Sequence, residues 1–326
     1  MRRASSGIFP RASLNHVSVI ALKHFPVIDH LFGQVFFGEE MKQSVIDLYD
    51  EYTHAPLARR TFLARLTALV GGAAAASALL PLLENNYALA AMIAADDGRI
   101  EPSRVSYDGE DGKISGYLAK PKHKIDLPAV VVIHENRGLN PHIEDVTRRL
   151  AIEGFLAFAP DMLSGMGGTP ADQDKARTMI KALDWEKTIS DLKAAVPFLM
   201  ARPDATGRVG CVGFCWGGTM ANQLAVRSPG LASAVAYYGR QPSAEEVKKI
   251  RGRLLLHYAG LDKRVNAGIA DFEAALKKER VRYALHIYDG ANHAFNNDTN
   301  AARYNSAAAE LAWGRTLNFL KKTLSL

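Results

Sequence analysis

The chain has 326 residues, 48% of them hydrophobic and 23% charged, with a net charge of +6. This is the composition of a soluble globular protein, and no lysine–arginine block is long enough to line a nucleic-acid groove, so no nucleic-acid partner is expected. Only two cysteines are present, Cys211 and Cys215; on an extended segment their Cα atoms lie about 13 Å apart, which excludes a disulfide and leaves too few thiols for a four-cysteine zinc site.

The first ninety residues do not read as fold. Met41 opens MKQSVIDLYDEYTHAPLARR, which has the character of an ordinary chain start. Residues 1–40 are therefore expected to be untranslated or disordered. Arg59-Arg60, followed by Thr61, Phe62 and Leu63 and then by the apolar run 66–83, resembles a twin-arginine export signal. Ala88-Leu89-Ala90 fits its small-x-small cleavage site. The run is short for a spanning helix, which needs about 20 residues, and Pro81 interrupts it. The expectations are a signal region over 41–90, a partnership with the twin-arginine export machinery, and a periplasmic or secreted mature chain. The alternative is an uncleaved membrane anchor.

From residue 104 onward the pattern becomes regular. RVSYDGEDGKISGYLAKP predicts two strands around a Gly-Glu-Asp-Gly turn. AVVVIHE (129–135) is a continuous β-branched run, the mark of a strand buried on both faces. A helical period over 142–153 stops at Gly154, and FLAFAPD is a second buried strand. LSGMGGTP is a glycine-rich loop. Residues 171–201 predict a helix broken or ended near Pro197. RVGCVGF, LASAVAYYG, RLLLHYAG and RYALHIYDG predict four more strands, with helices from Trp216, over 266–279 and over 301–323. Strands alternating with helices imply a single α/β domain over 91–326: a mostly parallel sheet with helices on both faces.

GFCWGG (213–218) carries the chemistry. It follows a strand and precedes a helix, as the nucleophile elbow of a hydrolase does, and it fits G-x-nucleophile-x-G with Cys215 as nucleophile. The helix N-terminus there favours a thiolate. In this architecture an acid and then a base follow the nucleophile along the chain. Asp262, in AGLDKRV, and His293, in GANHAF, both fall just past strand ends, where open α/β sheets keep their sites. His293 is the expected base and Asp262 its orienting partner. His134 and His257, at strand ends, are expected to be packed, and Cys211 to be a small core residue.

HENRG, APD, GFCWGG, AYYG, GLD and GANHAF together resemble the dienelactone hydrolase (carboxymethylenebutenolidase) family, over roughly 104–324, and the resemblance implies the α/β-hydrolase fold. The leader with LYDEYTHAP is similar to an exported subgroup of it. The resemblance implies that Glu135 contacts the resting thiol and takes part in its activation. It implies an oxyanion hole from the backbone N–H groups of Trp216 and Asn136, each such donor worth about 3 kcal/mol. Tyr238 matches a pocket tyrosine, and Phe295 is a further pocket candidate, with Phe158, Trp216 and Tyr237. The sequence departs from the family where a carboxylated lactone would be gripped by two arginines. One position is Asn297; the other aligns with Gln173, one helical turn before Arg177, the candidate substitute for it. The expected activity is cysteine-dependent hydrolysis of a small-molecule ester or lactone through an acyl-enzyme, with no metal and no organic cofactor. Alternatives are a thioesterase or other acyl hydrolase on the same triad, and a non-catalytic binding protein of the same fold. The oligomeric state is not readable from the sequence.

Overall fold

A computed structural model describes residues 36–37, 40–89 and 91–324. Almost all of the stretch 1–40 that reads as untranslated or disordered, and Ala90 of the expected cleavage site, lie outside the described residues. The chain divides into two compact units between Leu80 and Pro81.

The first unit contains the helices α1 (Gln43–His54) and α2 (Arg59–Leu69), and its end lies within α3 (Ala73–Leu83). Tyr52 stacks on Phe62 with ring centroids 4.3 Å apart, and Tyr49 packs at the edge of the same pair. The twin arginines Arg59 and Arg60 open α2. The apolar run after them is two helices, bent by 116° at the break between α2 and α3. Gly71 and Gly72, both at positive φ, form that break. No single helix among the described residues is long and apolar enough to cross a membrane.

The second unit is built on one eight-stranded sheet. Its strands are β1 (Ile100–Asp108), β2 (Lys113–Pro121), β3 (Leu127–Ile133), β4 (Leu156–Pro160), β5 (Ala205–Phe214), β6 (Ser233–Tyr237), β7 (Arg253–Ala259) and β8 (Tyr283–Tyr288). They lie in the order β8-β7-β6-β5-β3-β4-β2-β1. The six from β8 to β4 are parallel, and the hairpin β1–β2 joins β4 antiparallel. The helices are α4 (Pro141–Ile152), α5 (Gln173–Ala182), α6 (Trp185–Met200), α7 (Trp216–Arg227), α8 (Lys263–Asn266), α9 (Ile269–Lys278) and α10 (Ser306–Leu324).

Successive residues of a strand face opposite sides, so each central strand feeds two cores. Ala129, Val131 and Ile133 of β3 pack with α6, α7 and α9 through Leu192, Leu224 and Phe272. Val130 and Val132 pack with α4 and α10 through Val146, Leu150 and Leu320. All seven residues of β3 are buried, as its unbroken apolar run requires.

Two helix boundaries differ from the sequence reading. The 171–201 stretch breaks at Leu183-Asp184, where Leu183 is extended and Asp184 caps α6 by accepting from the Lys187 amide at 2.8 Å. Pro197 sits inside α6 near its end, where the missing N–H removes one bond of the last turns and the helix runs on to Met200. The last helix starts at Ser306 rather than 301, because Asn305 accepts from the Ala308 amide and its own N–H is tied to the Phe295 carbonyl. The residues from 294 to 305 are thereby a loop.

Candidate active site

The strand β5 and the helix α7 meet at a turn too tight for side chains on its flanks. A Cβ on Gly213 would lie 1.9 Å from the Gly217 carbonyl oxygen, and one on Gly217 would lie 2.3 Å from the Ile133 carbonyl oxygen. Cys215 stands at the apex with φ +56° and ψ −114°, as the N-cap of α7. Its amide is anchored to the Tyr237 carbonyl at 3.0 Å. The left-handed backbone of a non-glycine residue costs of order 1–3 kcal/mol and persists where the surroundings impose it. Tyr238, at φ +40°, and Ala294, at φ +64°, are strained in the same way beside it.

Asp262 and His293 follow β7 and β8 and meet there. Their Nδ1–Oδ2 separation is 2.5 Å, with both side chains buried. Asp262 Oδ1 accepts from the Val265 amide at the start of α8. Burial pushes the Asp262 carboxyl up, but the His293 imidazole, Arg264 and that amide pull harder, and the net value lies below the usual 3.8. A carboxylate held ionised against Nδ1 fixes the tautomer that carries a proton there and leaves Nε2 as the basic nitrogen. Arg264 adds a cation 3.3 Å from His293 Nδ1 and 3.9 Å from Asp262 Oδ2. Sequence reasoning passed it over; its position directly after α8 begins was the only signal.

The neighbouring strand end brings in Glu135 and Asn136. Ile133 pairs in register with Gly213 on the adjacent parallel strand, and Asn136 and Trp216 each lie three residues beyond that pair. His134 fixes this corner. Its Nδ1 donates to the Glu135 carbonyl at 2.7 Å, its Nε2 accepts from the Met162 amide at 3.3 Å, and its ring stacks on Trp216 at 5.1 Å. Burial holds His134 below its ordinary value and therefore neutral. It is a packed residue, as is His257, whose two nitrogens meet Tyr288 and Thr316 hydroxyls. The glycine-rich loop is tied to the same corner: Thr169 Oγ1 donates to Asp161 and accepts from the Leu139 amide.

Glu135 is buried, and its Oε2 accepts from Asn297 Nδ2 at 2.8 Å. Tyr238 is buried close enough to Glu135 and Cys215 that, after burial itself, those two acidic groups push its hydroxyl well above the usual range. Its ring lies 5.0 Å from the His293 ring. The residues gathered at the strand ends are thus Cys215, Trp216, Asp262, His293, Glu135, Asn136, Tyr238 and Asn297.

The remaining pocket candidates sit elsewhere or are otherwise engaged. Phe295 is fully buried against Tyr237, Tyr238 and Tyr288. Phe158 packs on Tyr107 and Phe198, and Tyr237 bonds to Thr316. Arg177 pairs with Asp174 of its own helix at 3.2 Å, and Gln173 donates to the Asn85 carbonyl at 2.9 Å. Arg303, buried in the loop after His293, is a second cation the sequence reading missed; its charge opposes the rise of the Tyr238 hydroxyl. Cys211 is fully buried in the core, where burial raises its thiol and makes it inert, and neither cysteine is in a disulfide.

The chain has relatives. The model of the "Dienelactone hydrolase family" matches residues 114–324. The chain belongs to the dienelactone hydrolase family. A protein of Saccharolobus solfataricus named as a candidate carboxymethylenebutenolidase is 34% identical over 256 residues, covering 67% of this chain and 97% of that one. A hydrolase fragment of Escherichia coli K12 is 48% identical over 112 residues, 33% of this chain and 96% of the fragment. The crystal structure of a dienelactone hydrolase candidate from Klebsiella pneumoniae superposes with a TM-score of 0.63 at 26% identity, over 68% of this chain and 99% of that one. A dienelactone hydrolase has the α/β-hydrolase fold described above, and the chain is a hydrolase.

Proposed function

We propose that the protein hydrolyses small neutral carboxylic esters or lactones through an acyl-enzyme on Cys215. The observation that carries this reading is the strained elbow: Cys215 at the N-terminus of α7, with the His293–Asp262 pair on neighbouring strand ends. In the proposed cycle the Cys215 thiol loses its proton, with Glu135 taking part, and Sγ attacks the carbonyl carbon. The oxyanion is received by the Trp216 and Asn136 amides. The C–O bond to the leaving group breaks as its oxygen takes up the proton that the thiol released, leaving a thioester on Cys215. His293 then accepts a proton from water, hydroxide adds to the thioester, and the acid leaves as the thiol is restored.

The neutral acyl group is inferred from the side chains at the family's gripping positions. Asn297 is committed to Glu135, Gln173 to the Asn85 carbonyl and Arg177 to Asp174. Asn297 and Gln173 have no guanidinium to bind a carboxylate in two places, and that of Arg177 is paired with Asp174. The test is a panel of short p-nitrophenyl esters, neutral enol-lactones, thioesters and the carboxylated dienelactone. The expected ranking puts neutral esters and lactones above the carboxylated lactone by tenfold or more in kcat/KM. The reverse ranking would assign the carboxylate to Arg303 and overturn the neutral preference.

We further propose export by the twin-arginine machinery, supported by Arg59-Arg60 ahead of the apolar run 66–83. Fractionation of cells producing the chain checks this: periplasmic or secreted protein is expected, lost on Arg59→Lys with Arg60→Lys. Equal recovery of both forms from the cytoplasm would refute it.

A further inference from the structure

Glu135 is a buried carboxylate whose orientation rests on Asn297. The amide of Asn297 is itself fixed: its Oδ1 accepts from the Thr299 amide at 3.1 Å and from Thr299 Oγ1 at 2.6 Å, which turns Nδ2 to Glu135 Oε2. Thr299 and Asn300 in turn are held from the far end of the sequence. The Asn86 amide donates to the Thr299 carbonyl at 2.7 Å. Asn300 Nδ2 donates to the Leu83 carbonyl at 2.6 Å and to Asn85 Oδ1 at 3.1 Å. The Asn85 carbonyl accepts from Gln173 at 2.9 Å. Asn85, Asn297, Thr299 and Asn300 are all buried. Such a bonded set has one arrangement, because each buried polar group left without its partner would be costly.

We propose that Asn297 and Asn300 are positioning residues that carry the hold of the segment Leu83–Asn86 through the histidine loop to the carboxylate of Glu135. The inference rests on the role given to Glu135 above. A neutral amide is suited to the task. It fixes one carboxyl oxygen by a directional bond and brings no charge of its own, whereas an arginine at this position would add a cation. Residues 83–86 precede the expected cleavage site near Ala90, so this hold belongs to the uncleaved chain, and cleavage there would release it.

The test uses the full chain and two readouts: hydrolysis of p-nitrophenyl acetate, and the rate of Cys215 alkylation by iodoacetamide followed on its own peptide. Alkylation needs no substrate pocket and reports the thiol directly. Asn297→Asp keeps the shape and removes the donor; Asn300→Ala removes the anchor without touching Glu135. Both are expected to lower kcat about tenfold, the factor that goes with one hydrogen bond to a buried charge, with KM within about twofold and alkylation slowed in parallel. Asn85→Ala, which leaves the Leu83 bond in place, is expected to give a smaller loss of the same kind, and circular dichroism checks that each variant is folded. A folded Asn297→Asp with unchanged kcat and alkylation overturns the proposal, as does a loss confined to KM. Full hydrolysis by Cys215→Ala would instead overturn the underlying reading of the site.

Discussion

At the scale of single residues, the site is defined by groups that have no freedom. Gly213 and Gly217 admit Cys215 to its apex only because each lacks a Cβ. Gly213→Ala should cost about 3 kcal/mol or more and abolish hydrolysis, read as a lowered unfolding midpoint together with lost activity. Asp262→Asn should leave the fold intact and lower kcat by about three orders of magnitude, because an amide no longer enforces the Nδ1-protonated tautomer of His293. The depressed Asp262 carboxyl also has a sign. Its contribution to stability is complete above the unfolded value of 3.8 and is lost only as pH falls through the lower folded value. Acid titration of wild type against Asp262→Asn should therefore show their stability difference holding down to about pH 4 and shrinking below it. A difference that grew on acidification would contradict the pairing. The placement of Cys215 at an elbow and of Asp262 and His293 past two strand ends was legible in the sequence, because connectivity alone sets it. Arg264 and Arg303 were not, since their relevance comes from where α8 and the histidine loop point them.

At the scale of elements, buried strands announced themselves and helix breaks did not. β3 and β4 are apolar throughout because both faces are covered, and their sequence shows it. The break between α5 and α6 lies at Leu183-Asp184, which no glycine or proline marks, while Pro197 gives a louder but misleading signal from within α6. The N-cap decided the boundary. Asp184→Ala should cost about 1 kcal/mol and lower the melting temperature by a few degrees, checked by differential scanning calorimetry. The start of α10 was displaced for a related reason: Asn305 caps it, and the residues before it belong to the loop that carries Asn297 and Asn300.

At the scale of the whole molecule, the sheet brings together residues that connectivity keeps far apart. Asn85 and Asn300 meet although more than two hundred residues separate them, and no local pattern could have foretold it. The division of the chain falls between Leu80 and Pro81, so residues 81–89 go with the hydrolase unit and not with the leader that their sequence resembles. A protease site engineered between residues 87 and 91 and cut in the folded chain tests that placement. Amide exchange across 297–303 should quicken by about tenfold after the cut, and unchanged protection would show that the hold of Leu83–Asn86 does not depend on its chain continuity.

The proposed hydrolysis stands or falls with Cys215 as nucleophile. The most direct measurement is mass spectrometry of the full chain quenched during turnover of a slow p-nitrophenyl ester. The account predicts one added acyl group, on the peptide carrying Cys215, absent in Cys215→Ala and accumulating in His293→Gln. Turnover without a covalent adduct, or an adduct on another residue, would contradict it.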